Sequence, residues 1–199
     1  MNPHRLTVYT GLPGTGKSSA LLHQLMTHPP QSNWAGFVTV RRIQNNFRTF
    51  VPVLATDLAD ILKGWKNLDP TQWQSCFDHF LRTDAQTCTN RHPVPVAIFK
   101  DLILEALSKA NHEHGFLILD EVGGLELLDE IWLEQLLNGL QHTTEGIIVL
   151  KSKAHASCLV KRHQFSQSDL DRLNKAYDRL YHHLEQLPQS MICHRQGDR

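Results

Sequence analysis

The chain has 199 residues, of which 41% are hydrophobic and 20% are charged, a composition typical of one globular α/β domain with a sizeable core. Its 20 basic residues balance its 20 acidic residues, which excludes a global basic field that would attract nucleic acid or an anionic membrane. No apolar run is long enough to span a bilayer, and the four cysteines are interpreted as reduced thiols of a cytoplasmic protein.

The N-terminal segment predicts a strand, a glycine-rich loop and a helix in succession. Residues 5–10 are a β-prone run that stops at Gly11, and residues 18–26 place three leucines on one side of a helix. Between them, Gly11–Ser18 matches the pattern G-x-x-x-x-G-K-S of a phosphate-binding loop (P-loop). Because such a match requires this strand–loop–helix context, we predict that the segment binds a nucleoside triphosphate.

The physical reason lies in the loop's main chain. Glycines allow consecutive amide groups to wrap closely around a phosphate, and the helix that follows directs its unpaired amides at the same anion. Lys17 is predicted to reach the β- and γ-phosphates, and the hydroxyl of Ser18 to bind Mg²⁺. The predicted nucleotide-binding residues are Gly11, Leu12, Pro13, Gly14, Thr15, Gly16, Lys17, Ser18 and Ser19.

The segment after the first helix predicts a β-hairpin. Residues 36–40 and 47–54 both favour strands, and Asn45-Asn46 between them is a turn signal. A short helix is predicted over residues 58–62.

Residues 64–95 fit an α/β core less well and are predicted to form a helical insert. Trp73, Phe77, Phe80 and Leu81 recur at helical spacing, which favours packing on the core over a lid above the nucleotide. The residues Cys76, His79, Cys88 and His92 also have zinc-ligand spacing. The neighbouring aromatic residues favour an ordinary packed helix instead.

The second half of the chain alternates helices and buried strands. Helices are predicted over residues 97–110, 128–140 and 168–187, and strands over residues 116–120 and 146–150. The last helix carries a leucine-rich seam, which packs on the sheet or, as the second alternative, joins two copies in a homodimer. Residues 1–187 are expected to form one domain, and residues 188–199 a flexible tail.

Two acidic residues end the strand that begins at Phe116. In a parallel sheet, Asp120 and Glu121 would lie at the carboxyl edge, where ligands bind in open α/β folds. We predict that Asp120 binds Mg²⁺ and that Glu121 orients or deprotonates the water that attacks the γ-phosphate. Glu126 either supports the metal or faces solvent.

These motifs resemble one family, the small thermostable-type nucleoside-triphosphatases, which include the cancer-related nucleoside-triphosphatase of animals. The resemblance covers most of residues 5–160 and is carried by GxPGxGKS at Gly11–Ser18, by Gly-Phe-x-Thr at Gly36–Thr39 and by DExGxxEL at Asp120–Leu127. A strand and a basic loop follow at residues 146–155. It implies a RecA-like, three-layer αβα fold with a mostly parallel central sheet. It also implies Mg²⁺-dependent hydrolysis of ATP, GTP and other nucleoside triphosphates to diphosphates, with broad base specificity.

The chain departs from the family after Thr39. The family's glutamate and glycine-rich hairpin are replaced by residues 40–48, so the chain is interpreted as a divergent member. Hydrolysis often uses a cation that neutralises charge on the γ-phosphate. The candidates are Arg41, Arg42, Arg48, Lys153 and Arg162.

Two other functions share the same motifs. In a small-molecule kinase, Glu121 would activate a substrate hydroxyl instead of water, and residues 64–95 would form the acceptor pocket. In a nucleotide-gated binding module with little turnover, hydrolysis would only reset a partner interaction, and the seam of the last helix would be the partner surface.

Overall fold

The computed structural model describes residues 5–27, 33–44, 47–55, 81–84, 96–162 and 165–195. The strands in this part of the chain are β1 (Leu6–Gly11), β2 (Trp34–Gln44), β3 (Phe47–Leu54), β4 (Leu81–Asp84), β5 (Phe116–Val122), β6 (Gly146–Lys151) and β7 (Ser190–Arg195). They form one sheet in the order β4-β3-β2-β5-β6-β1-β7. β2, β5, β6, β1 and β7 pair in parallel, while β3 pairs antiparallel with both β2 and β4.

Helices cover both faces of this sheet. They are α1 (Lys17–Thr27), α2 (Val96–His112), α3 (Glu130–His142), α4 (Lys153–Arg162) and α5 (Gln167–Gln186), with a 3₁₀ turn at Leu125–Leu128. Alternate residues along β5 and β6 belong to two separate apolar cores, because successive side chains of a strand point to opposite faces. One core holds Leu21 and Leu25 of α1, and the other is built by α2, α3 and α5. The result is three layers with a mostly parallel central sheet, as predicted.

Most predicted elements are confirmed within one to four residues at their ends. The hairpin is present, since β2 and β3 pair from Phe37 opposite Leu54 to Gln44 opposite Phe47. The turn at residues 45–46 and the helix predicted over residues 58–62 lie outside the described residues. So do Cys76, His79, Cys88 and His92, and the zinc alternative remains a prediction.

The seam of the last helix packs on the sheet, the first of its two predicted alternatives. α5 begins with a capping box, in which Ser166 and Asp169 each bind the other's backbone amide. Five residues of the seam are buried in the chain's own core: Leu173, Tyr177, Leu180, Leu184 and Leu187. A buried seam is not available to a second copy, so the structure lends no support to a dimer through this helix.

Two predictions are wrong at the edges of the sheet. Leu81 was expected to continue a helix but begins strand β4, which pairs with β3. The expected flexible tail after Pro188 instead forms β7 over residues 190–195, which pairs with β1 along its full length. That residues 1–187 form a single domain remains a prediction. Among the described residues, no helix is long and apolar enough to cross a membrane.

Candidate nucleotide site

The glycine-rich loop connects β1 to α1 in the form that phosphate binding requires. Gly14 and Gly16 have φ angles of 82° and 76°, in the left-handed region that L side chains rarely adopt. Leu12, Pro13 and Gly14 are exposed, and the Thr15 hydroxyl donates to the carbonyl of Leu12 at 2.9 Å. α1 begins at Lys17, so its free N-terminal amides and the positive end of its dipole face the loop.

Lys17 is buried beneath the loop, with 6% of its surface exposed. Its ammonium donates to the carbonyl oxygens of Gly11 and Leu12, each at 3.0 Å. Lys17 Nζ also lies 3.5 Å from Glu121 Oε1. The ammonium therefore sits between the loop and the acidic end of β5, close to the position at which a bound γ-phosphate would require a cation.

Asp120 joins three segments of the chain. The Ser18 hydroxyl donates to Asp120 Oδ1 at 3.2 Å, and the Thr39 amide donates to Oδ2 at 3.3 Å. The Thr39 hydroxyl donates to the backbone oxygen of Asp120. The threonine of the Gly-Phe-x-Thr segment thus orients the carboxylate. The hydrogen bond between Ser18 and Asp120 brings the P-loop into contact with the acidic end of β5, 102 positions farther along the sequence.

The surroundings of Asp120 fit a divalent cation. The side chain is 1% exposed, and the pKa of its carboxyl is raised to about 7, first by burial and then by the charge of Glu121. Hydrogen bonds from Ser18 and Thr39 and the charge of Lys151 lower this pKa only in part. No salt bridge pairs Asp120 with a cation among the side chains that the structure describes. Carboxylate and hydroxyl oxygens are ligands that Mg²⁺ prefers, so Ser18 and Asp120 suit this ion.

Replacing Asp120 by asparagine is expected to change how the stability of the ligand-free protein depends on pH. The folded-state pKa of about 7 lies above the ordinary pKa of 3.8 that the carboxyl has in the unfolded chain, so the unfolded chain releases the proton first. As the pH rises from 3.8 to 7, the carboxyl therefore lowers the free energy of unfolding progressively. Above pH 7 the loss is complete and amounts to about 4 kcal/mol. In urea titrations without Mg²⁺, Asp120→Asn should gain stability over the wild type at pH 8 and little at pH 4.5. A difference independent of pH would contradict the buried titration.

Glu121 is held between two lysines. Its Oε1 faces Lys17, and its Oε2 lies 3.7 Å from Lys151 Nζ. Lys151 ends β6, the strand between β5 and β1, and its ammonium also lies 5.9 Å from the centre of the Phe99 ring. Sequence reasoning missed Lys151 and named Lys153 two positions later. The sequence carried a signal for Lys151, since it directly follows the apolar run of a core strand, as Asp120 does, and a residue in that position is expected at the same edge of the sheet.

Glu126 does not face solvent, so that one of its two sequence alternatives is wrong. Its side chain is buried and accepts hydrogen bonds from the amides of Gly123 and Gly124, at 2.8 and 2.6 Å. These bonds close the turn that follows β5. Glu126 therefore fixes the exit of the strand that carries Asp120 and Glu121.

Of the candidate cations for the γ-phosphate, Lys153 is the one whose side chain belongs to the described part of the chain. The ammonium of Lys153 forms an exposed ion pair with Asp178 on α5, at 2.6 Å. The backbones of Arg41, Arg42, Arg48 and Arg162 lie in β2, β3 and α4, and their side chains lie outside what the structure describes.

Known proteins resemble the chain in family and in fold. A family described as NTPase matches residues 7–183 of the chain. No curated protein sequence matches it. Among solved structures, the chain is similar to THEP1 from the hyperthermophile Aquifex aeolicus, with a TM-score of 0.51 and 15% sequence identity, over 96% of this chain and 90% of that chain. At this identity the likeness concerns the fold alone, and it confirms the predicted RecA-like P-loop class.

Proposed function

The chain belongs to the NTPase family, and from this premise we propose that it hydrolyses nucleoside 5′-triphosphates, with Mg²⁺, to the diphosphate and inorganic phosphate. The observation that carries the proposal is the contact between the P-loop and the acidic end of β5. Ser18 meets Asp120 at 3.2 Å, and Lys17 meets Glu121 at 3.5 Å. This arrangement can hold a triphosphate whose terminal phosphate faces a carboxylate.

Each residue has a distinct proposed role. The amides of residues 11–19 and the ammonium of Lys17 hold the phosphates, and Lys17 exchanges its present carbonyl partners for phosphate oxygens. Ser18 and Asp120 would hold Mg²⁺, which would neutralise negative charge on the bound phosphates. Glu121 accepts a hydrogen bond from a water aligned with the γ-phosphorus. The water oxygen forms the new P–O bond, the bond to the bridging β–γ oxygen breaks, and the water's proton passes through Glu121 to solvent.

Broad base specificity is part of the proposal. The residues named above contact phosphates and metal, which every nucleoside triphosphate shares. We expect comparable turnover of ATP, GTP, CTP and UTP, within about tenfold, because discrimination requires contacts to the base.

Phosphate release without an acceptor separates hydrolysis from the kinase alternative. With Mg²⁺ and a nucleoside triphosphate alone, we expect steady release of inorganic phosphate in a malachite-green assay. Negligible release that is restored by adding a metabolite with a hydroxyl group would favour a kinase. The binding-module alternative has lost its main support, because the seam of α5 is buried in the chain's own core.

Lys151 is expected to position Glu121. In Lys151→Met the second cation beside Glu121 is lost, and we expect kcat to fall about tenfold to 100-fold while KM changes less than about threefold. Lys151→Arg should recover part of the rate, because it restores the charge. Lys175→Met, the same change at an exposed position on α5, is the matched control. An equal loss in Lys151→Met and Lys175→Met would remove Lys151 from the mechanism.

A further inference from the structure

The order of the strands fixes the direction in which a bound nucleotide leaves the loop. The sheet runs β5-β6-β1-β7, so β1, which leads into the P-loop, has β6 and then β5 on one side and β7 on the other. Glu121 lies at the end of β5. If the γ-phosphate faces Glu121, the other end of an extended triphosphate points away from β5 and towards β7. The nucleoside half therefore requires space between α1 and β7.

A groove of about 440 Å³ lies at this place. It is lined by Tyr9, Ser19, Ala20, His23, Gln24, Thr27 and Arg195, and we call it the α1–β7 groove. Ser19 directly follows the P-loop, and His23 is one helical turn farther along the same side of α1. The Tyr9 hydroxyl donates to Gln24 Oε1 at 2.9 Å, which fixes the wall between the strand and the helix. The groove thus continues from the end of the loop.

Arg195 brings a positive charge to the point where groove and loop meet. In the pairing of β1 with β7, it stands opposite Gly11, so the end of β7 lies against the start of the loop. A Cβ atom at Gly11 would lie 2.4 Å from the backbone oxygen of Arg195, and one at Gly16 would lie 3.9 Å from its guanidinium nitrogen Nη2. No salt bridge joins Arg195 to a carboxylate within the described residues. A guanidinium beside a P-loop suits a phosphate oxygen.

We propose that the α1–β7 groove binds the ribose and base of the nucleotide and that Arg195 binds its α-phosphate. This inference rests on the proposed function and adds the nucleoside subsite to it. It gives β7 a role that the family match does not assign, because that match ends at residue 183. His23, exposed in the groove, supplies a flat ring for any base, which agrees with broad base specificity.

Titration calorimetry with two ligands tests the subsite. The ligands are the magnesium complexes of adenylyl imidodiphosphate, which resists hydrolysis, and of inorganic tripolyphosphate, which has no nucleoside. Ala20→Trp fills the groove and should weaken binding of the nucleotide about tenfold or more while leaving tripolyphosphate within about twofold. Arg195→Met should weaken both ligands about tenfold, because both offer a phosphate at the α position. Arg5→Met, at the opposite end of β1, removes an exposed guanidinium and should change neither.

The results separate this inference from the proposed function. If Ala20→Trp and Arg195→Met, folded by circular dichroism, both bind the nucleotide as the wild type does, the subsite is overturned while the P-loop function stands. If the wild type binds neither ligand, the proposed function itself fails. Should Ala20→Trp not fold, His23→Ala replaces it, with an expected loss of about threefold for the nucleotide alone.

Discussion

Glu121→Gln is expected to lower kcat by about 100-fold to 10,000-fold, the range attributed to a positioned general base. The amide keeps the size of the side chain but can no longer accept the proton of the attacking water. Affinity for the magnesium–nucleotide complex should be kept or increased, because the carboxylate that faces the γ-phosphate is removed. Phosphate release gives kcat, and calorimetry with adenylyl imidodiphosphate gives the affinity.

Glu130→Gln provides the control for this substitution. Glu130 is exposed in the first turn of α3, outside the P-loop and β5, so its amide variant should hydrolyse nucleotides at the wild-type rate. Turnover of Glu121→Gln equal to that of Glu130→Gln would exclude Glu121 from the chemical step. A joint loss of affinity and turnover would instead assign it to binding.

Lys17→Met should weaken binding of the magnesium–nucleotide complex by about 100-fold or more and abolish measurable turnover. The ammonium is buried and already directed at two loop carbonyls, so it is held in place before the phosphates bind. Each charge-assisted hydrogen bond lost is worth about 1.5–3 kcal/mol, and Lys17 is expected to make two to the phosphates. Calorimetric titration of wild type and variant measures the loss directly.

The same variant should also alter the protein without ligand. Lys17 bridges Gly11, Leu12 and Glu121, and its removal takes one donor from each of two loop carbonyls, of which that of Leu12 keeps the Thr15 hydroxyl. We expect about 1–3 kcal/mol lower stability to urea, which must be checked before affinities are compared. Lys175→Met, at an exposed site on α5, should match the wild type in both measurements. Retained affinity in folded Lys17→Met would contradict the proposed placement of the phosphates.

The centre of the fold was predictable because its signals are local. β5 and β6 are continuous apolar runs, as strands buried on both faces must be, and the loop after β1 carries its function in its own spacing. The approach of Ser18 to Asp120 followed from one general rule, that parallel strands bring their carboxyl ends to the same edge.

The edges of the sheet were not predictable in the same way. The six residues of β7 include His194 and Arg195 and show no strong alternation, so their strand state depends on pairing with β1 at the far end of the sequence. Leu81 likewise continues a helical spacing along the chain but pairs with β3. Because residues 188–199 were predicted to form a flexible tail, the position of Arg195 beside the P-loop could not be predicted from the sequence.

The juxtaposition of the P-loop with Asp120 is tested most directly by calorimetric titration of the wild type with adenylyl imidodiphosphate, with Mg²⁺ and then with the metal chelated. We expect one nucleotide to bind per chain with Mg²⁺, and at least about tenfold weaker binding without it, because Asp120 then faces the phosphates without a cation. Asp120→Asn should lose most of this dependence on the metal. Binding that is absent under both conditions, or equally tight with and without Mg²⁺, would contradict a site in which Ser18 and Asp120 hold the metal of a bound triphosphate.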